Sequence, residues 1–225
     1  MQNFATTAPI GAVLDVPAGL IRFLASDRAD TTVDILPADA TDGRDVTAAE
    51  QTTAAYQDGV LRITAAPAKD KVLGHPGSVA ITIELPAGSR VEAKTAAAEF
   101  RGTGRLGEVT IESAQATIEL EETAGVQLVL QAGDIAVGRL GGSARITTQK
   151  GDLRIAEAVH GTVELTTQAG DITIGAARGV SATLDAGTAY GRVHNTLANT
   201  NTDGATAGLN IRATTSYGDI TARSI

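Results

Sequence analysis

Apolar and polar residues alternate along most of this chain with a period of two, and glycine interrupts the alternation every eight to ten residues. A period of two puts successive side chains on opposite faces of a strand, whereas the apolar positions of a helix recur every 3.6 residues. The pattern therefore predicts short strands joined by tight turns. It also repeats. The segments QAGDIAVG (131–138), QKGDLRIA (149–156) and QAGDITIG (168–175) are copies of one motif, SYGDITAR (216–223) is a fourth and AYGRVHNT (189–196) a divergent fifth. Their turn glycines, Gly133, Gly151, Gly170, Gly191 and Gly218, fall at steps of 18, 19, 21 and 27, and Ala116 and Ala98 occupy the same slot upstream. A second series, Gly107, Gly125, Gly142, Gly161 and Gly179, keeps the same period.

Each repeat holds two strands. Ahead of the slot lie Ile111, Leu128, Ile146 and Leu165, with Val109, Val126, Ala144 and Val163 two residues earlier. Two residues after the slot runs a column of Phe100, Ile118, Ile135, Leu153, Ile172, Val193 and Ile220. A lone repeat has nothing against which to bury these faces. Stacking repeats about 4.8 Å apart closes an aliphatic column and joins neighbours by backbone hydrogen bonds. The expected fold is all-β: a single-stranded β-solenoid of roughly 18-residue coils over residues 89–225, with an N-terminal β cap region, 1–88, continuous with it.

Within 1–88, VLDVPAGLIRFLA (13–25) and ITIELPAGSRVEA (81–93) share a strand, a Pro-Ala-Gly turn and a second strand. TTVDIL (31–36) and GVLRIT (59–64) read as further strands, and 37–56 and 65–78 as loops. At the other end the 216–223 motif is expected to form the last coil. Its outer edge is then either covered by the polar 195–208 loop or left as an interface.

Composition fits thin, regular layers. The chain has three Phe, three Tyr and no Trp, so Val, Ile, Leu and Ala must fill the core. A net charge of −8 without a basic cluster argues against nucleic acid. The absence of cysteine excludes disulfides and thiolate metal sites. No signal peptide or membrane-length apolar run is visible, so the chain reads as cytoplasmic, without membrane insertion.

Candidate chemistry is sparse. An acidic column follows the slot, Asp134, Asp152, Asp171 and Asp219, interrupted by Arg192. One carboxylate per coil is too few for a hard cation, so the column reads as turn structure, and neither a metal nor a cofactor is expected. Gln131, Gln149 and Gln168, with the Thr147-Thr148, Thr166-Thr167 and Thr214-Thr215 pairs, read as ladders that stabilise stacked strands. His75, His160 and His194 share no ligand spacing, and GTGRLG (102–107) lacks a following helix. One irregularity stands out. The stretches Leu184 to Gly191 and Ile211 to Gly218 are each two residues longer than their counterparts, and each carries a tyrosine before the glycine. Tyr190 and Tyr217, with Arg192 and His194 nearby, are therefore the candidate binding residues.

The Gly-Asp-[Ile/Leu] repeats, the Pro-Ala-Gly turns and the opening NFATTAPIGAVLDVPAG resemble the adhesin-like family of β-strand-repeat proteins, whose function is unknown. The resemblance covers nearly the whole chain and supplies no catalytic residues to transfer. With no catalytic constellation in the chain, the leading reading is a non-enzymatic, adhesin-like scaffold or interaction module with a protein partner or a second copy of itself. A carbohydrate- or small-ligand-binding module is the alternative reading, and a polysaccharide-acting enzyme the third.

Overall fold

The alternating segments are strands throughout. Among the described residues, 1–65, 77–198 and 208–225, the computed structural model contains seventeen strands and a single α-helix. The expectation of a nearly all-β chain holds. The chain divides into two compact units, Met1–Ala116 and Thr117–Ile225.

The first unit contains β1 (Gln2–Ala5), β2 (Gly11–Asp15), β3 (Ala18–Ser26), β4 (Asp30–Pro37), α1 (Gly43–Gln51), β5 (Thr53–Gln57), β6 (Val60–Thr64), β7 (Val79–Pro86) and the start of β8 (Arg90–Ala132). Parallel pairing sets β2 between β6 and β8, and β3 between β7 and β8. Inward residues line up across these ladders as Leu61–Ala12–Val91, Ile63–Leu14–Ala93 and Ile81–Ile21–Phe100, all buried. Phe23, between Ile83 and Gly102, places the bulkiest residue of its row in register with the smallest, as close packing of a thin core requires. Three antiparallel strands line the outer side of this unit: β4 on β7, β1 on β4 and β5 on β6.

Residues 37–56, expected as loop, contain α1 and β5 instead. The Asp42 carboxylate accepts from the Arg44 amide and starts the helix. The Arg44 guanidinium beside it holds that carboxyl down at about 2. Asp45 then fixes the helix to the chain on both sides, accepting from the amides of Asp39 (3.0 Å) and Ser78 (2.8 Å). No residue of α1 is buried, so it leaves no apolar periodicity to read.

The second unit contains the end of β8, β9 (Ile135–Leu140), β10 (Ala144–Thr147), β11 (Leu153–Ala158), β12 (Gly161–Thr166), β13 (Ile172–Ala176), β14 (Ala182–Tyr190), β15 (Val193–Thr196), β16 (Leu209–Tyr217) and β17 (Ile220–Ser224). Its pairings are parallel and step by one repeat, as in Ala144 with Val126 and Val163, or Leu153 with Ile135 and Ile172. The close approach of repeats is what demands glycine at the slot. A Cβ on Gly151 or Gly170 would sit 2.1 Å from the carbonyl oxygen of Gly133 or Gly151, and both residues have φ near +145°, a region L side chains avoid.

The order of repeats in space differs from their order in sequence. The β16–β17 repeat lies between β12–β13 and β14–β15. Among the described residues the outermost pair is therefore β14 and β15, and the 216–223 motif expected at the end is interior. Five of the six second-unit residues in the column after the slot are buried: Ile118, Ile135, Leu153, Ile172 and Ile220. Val193, expected to be buried with them, is 45% exposed: among the described residues its strand pairs on one side only.

Candidate functional site

The acidic column is a hydrogen-bonded ladder running from repeat to repeat. Asp134 Oδ1 accepts from the Asp152 amide at 2.9 Å, Asp152 from Asp171 at 2.8 Å, Asp171 from Asp219 at 2.7 Å, and Asp219 from the Arg192 amide at 2.8 Å. Each carboxylate satisfies a turn N–H of the next repeat, a charge-assisted bond stronger than its neutral equivalent. The ladder follows spatial order, which explains Arg192. In the outermost repeat a carboxylate would face no further amide, and arginine instead directs its guanidinium to Asp219 Oδ2 at 3.4 Å. Among the described residues no group of three or more His, Asp or Glu is arranged to hold a metal ion.

The second residue of each Thr pair is also structural. Thr148, Thr167 and Thr215 are buried, and their hydroxyls donate to the carbonyls of Lys150, Gly151 and Gly170. Thr188 does the same to Gly218 in the outermost repeat. Gln131, Gln149 and Gln168 are exposed, and their main-chain carbonyls pair with the next repeat.

The four candidate binding residues all lie on the two adjacent repeats at the edge of the second unit. Tyr190 and Tyr217 are in register across β14 and β16. Their rings stack with centroids 4.9 Å apart and planes 5° from parallel, yet they remain 68% and 59% exposed. With two residues inserted before the glycine, β14 and β16 each run nine residues, where β10 and β12 have four and six. That extension carries the rings outward. Tyr217 bridges Ala169, so it stands in the position just before the slot, which Ala132, Lys150 and Ala169 fill in earlier repeats. Arg192 and His194 line a recess of about 500 Å³ with Val193, Asp219 and Thr221.

A family model described as Toastrack DUF4097 matches residues 79–223. The chain belongs to the Toastrack DUF4097 family. One solved structure extends the likeness beyond the matched span. A candidate adhesin from Parabacteroides distasonis ATCC 8503 is 14% identical over 98% of this chain and 95% of its own, with a TM-score of 0.51. A candidate adhesin from Bacteroides fragilis NCTC 9343 is 16% identical over 100% and 95%, at 0.44. A candidate cell adhesion protein from Clostridium sporogenes ATCC 15579 is 11% identical over 100% and 98%, at 0.42. At such identity the Parabacteroides match shows a shared fold. No curated protein matches the chain.

In this Toastrack chain the sequence pattern missed three residues of the edge. Asp219 and Thr221 reach the recess because β17 pairs with β15, and Asp185 joins Arg212 across β14 and β16 at 3.4 Å. All three come from the register of the last two repeats against each other. A signal existed in the outward charges: Arg145, Glu164, Arg212 and Asp185 occupy one register row and alternate in sign only when β16 is placed before β14. His160 is exposed at the turn before Gly161, as expected of a corner residue, and His75 lies outside the described residues.

Proposed function

We propose that this Toastrack chain is a non-enzymatic β-solenoid scaffold that binds a protein partner through its outermost repeats, at Tyr190, Arg192, His194 and Tyr217. The solenoid reading is supported by parallel ladders that step by one repeat and by the slot glycines that allow their close approach. In this reading residues 1–88 act as a cap, supported by the antiparallel strands β1, β4 and β5. The binding reading rests on the stacked, exposed tyrosine pair. Two aromatic rings kept in solvent on an extension of otherwise regular strands add nothing to the core, while amphipathic rings beside an arginine are the usual anchors of interfaces. The naming of the Parabacteroides protein as a candidate adhesin fits an interaction role. The recess beside His194 favours a second reading, a carbohydrate or other small polar ligand, and that reading predicts a glycan-array signal.

The test is capture of partners by the tagged protein from its native cells, with a Tyr190→Ala/Tyr217→Ala variant in parallel. The variant keeps its circular dichroism and melting temperature and loses the stoichiometric protein partner. A variant that melts well below the parent would make the tyrosines packing residues. Unchanged capture by a folded variant would place binding elsewhere.

A further inference from the structure

We infer that the outer edge of β14 docks an extended segment of a partner protein, which adds as one more strand and places a lysine or arginine opposite Asp185. The inference rests on reading this end of the second unit as the binding surface, and it names the chemistry of the partner.

Among the described residues β14 pairs with β16 alone, so one side of a nine-residue strand presents unpaired backbone donors and acceptors. Its inward residues are poised for another layer. Leu184, Ala186 and Thr188 are half-buried, whereas their register partners Ile211, Ala213 and Thr215, with a strand on each side, are fully buried. A further strand would do for β14 what β14 does for β16. The outward row supplies the specificity. Arg145, Glu164, Arg212 and Asp185 alternate in sign across four neighbouring strands, joined at 3.0, 3.6 and 3.4 Å. Among the described residues the row stops on Asp185, an 80% exposed carboxylate with a cation on one side only. The next member of the series is a cation. Tyr190, stacked by Tyr217 on one ring face, leaves large apolar area beside the same edge.

A second copy of this chain does not fit as well. A two-fold contact of β14 with itself sets Asp185 opposite another β14 residue, and β14, ATLDAGTAY, contains no lysine or arginine. Strand addition to an open edge draws affinity from main-chain bonds and specificity from side chains at alternate positions. That is the division of labour offered here.

Two fluorescein-labelled nonapeptides test this, both alternating threonine and valine, one with arginine and one with glutamate at the central polar position. Fluorescence anisotropy with the full chain is expected to show the arginine probe bound at least about fivefold tighter, since opposite charges across strands attract and like charges repel. Asp185→Lys, a change at an exposed side chain, reverses the preference. Hydrogen exchange slows in 182–190 and stays unchanged in β5. Equal binding of the two probes, binding of neither, or protection outside 182–190 overturns the inference. So does sedimentation showing a dimer that Asp185→Lys dissolves. Loss of partner capture in the tyrosine variant together with any of these results leaves the binding surface standing and removes only the strand-addition chemistry.

Discussion

The repeats at 182–196 and 209–224 carry nearly the same residues in matched register and have opposite fates. Leu184, Ala186, Thr188, Tyr190 and Val193 of the first correspond to Ile211, Ala213, Thr215, Tyr217 and Ile220 of the second. Apart from the tyrosines, the second set is buried, while the first is half-buried or exposed. Local pattern made both into strands. Position among neighbours decided which one became core. The same rule separates the two units: β4, β1 and β5 line the outer side of the first with antiparallel strands, whereas β14 and β15 face outward in the second.

If that contrast is right, one substitution made in matched slots should have very different consequences. Leu153→Asp buries an unpaired charge between two strands and is expected to cost several kcal/mol, on the order of 3–5. Val193→Asp, in the corresponding slot of the outermost repeat, should change stability by less than about 0.5 kcal/mol. Urea unfolding measures both. A milder pair sharpens the gradient. Ile211→Ala leaves a cavity and should cost roughly 2–4 kcal/mol, while Leu184→Ala, already half in solvent, should cost about 1 kcal/mol or less.

The ladder of aspartates should follow the same ordering with smaller values. Asp171→Ala strands the Asp219 amide between repeats and is expected to lower stability by about 1–2 kcal/mol. Asp219→Ala frees the Arg192 amide and removes its 3.4 Å guanidinium contact, both at the open edge, and should cost less. Because these carboxylates are engaged with amides, millimolar calcium should move the melting temperature by no more than about 1–2 °C.

The smallest expected effect lies in the first unit. Arg28 bonds both Asp30 and Glu84, and its guanidinium holds the two carboxyls below their usual range, helped by Asn3 and Thr32. A depressed folded-state pKa adds stability above the unfolded value, near 4, and that stability is lost as pH falls through the folded value. Arg28→Ala should therefore lower stability slightly at pH 7, a loss that shrinks as pH falls through the folded-state values, and shift the acid-unfolding midpoint slightly upward. Tyr190→Ala/Tyr217→Ala should not move it at all.

Much of this was legible because period-two alternation and slot glycines are local signals. The buried column through Leu153 and Ile172, the turn role of Asp152 and the exposure of His160 all follow from them. Helix α1 was not legible, since none of its residues is buried and its anchors, Asp39 and Ser78, lie outside it. The order of repeats was hidden for a deeper reason. Copies of one unit are interchangeable partners, so the motif fixes register without fixing which copy is next. Tyr190 and Tyr217 could be picked out by their coil expansions, but their stacking required the β14–β16 register, and the reach of Asp219 and Thr221 to His194 required the β15–β17 register.

Repeat order is thus the claim on which the exposed site depends, and the absence of native cysteine makes it directly measurable. Two double variants are oxidised: Glu164→Cys/Arg212→Cys and Glu164→Cys/Asp185→Cys. Glu164 and Arg212 are register partners on adjacent strands, within the Cα separation a disulfide spans, whereas Asp185 lies one strand further, near 10 Å by strand spacing. The 164/212 pair should close to an intramolecular disulfide and the 164/185 pair should stay reduced. Ready closure of 164/185 with an unreactive 164/212 pair would mean that the repeats stack in sequence order, and would contradict the account.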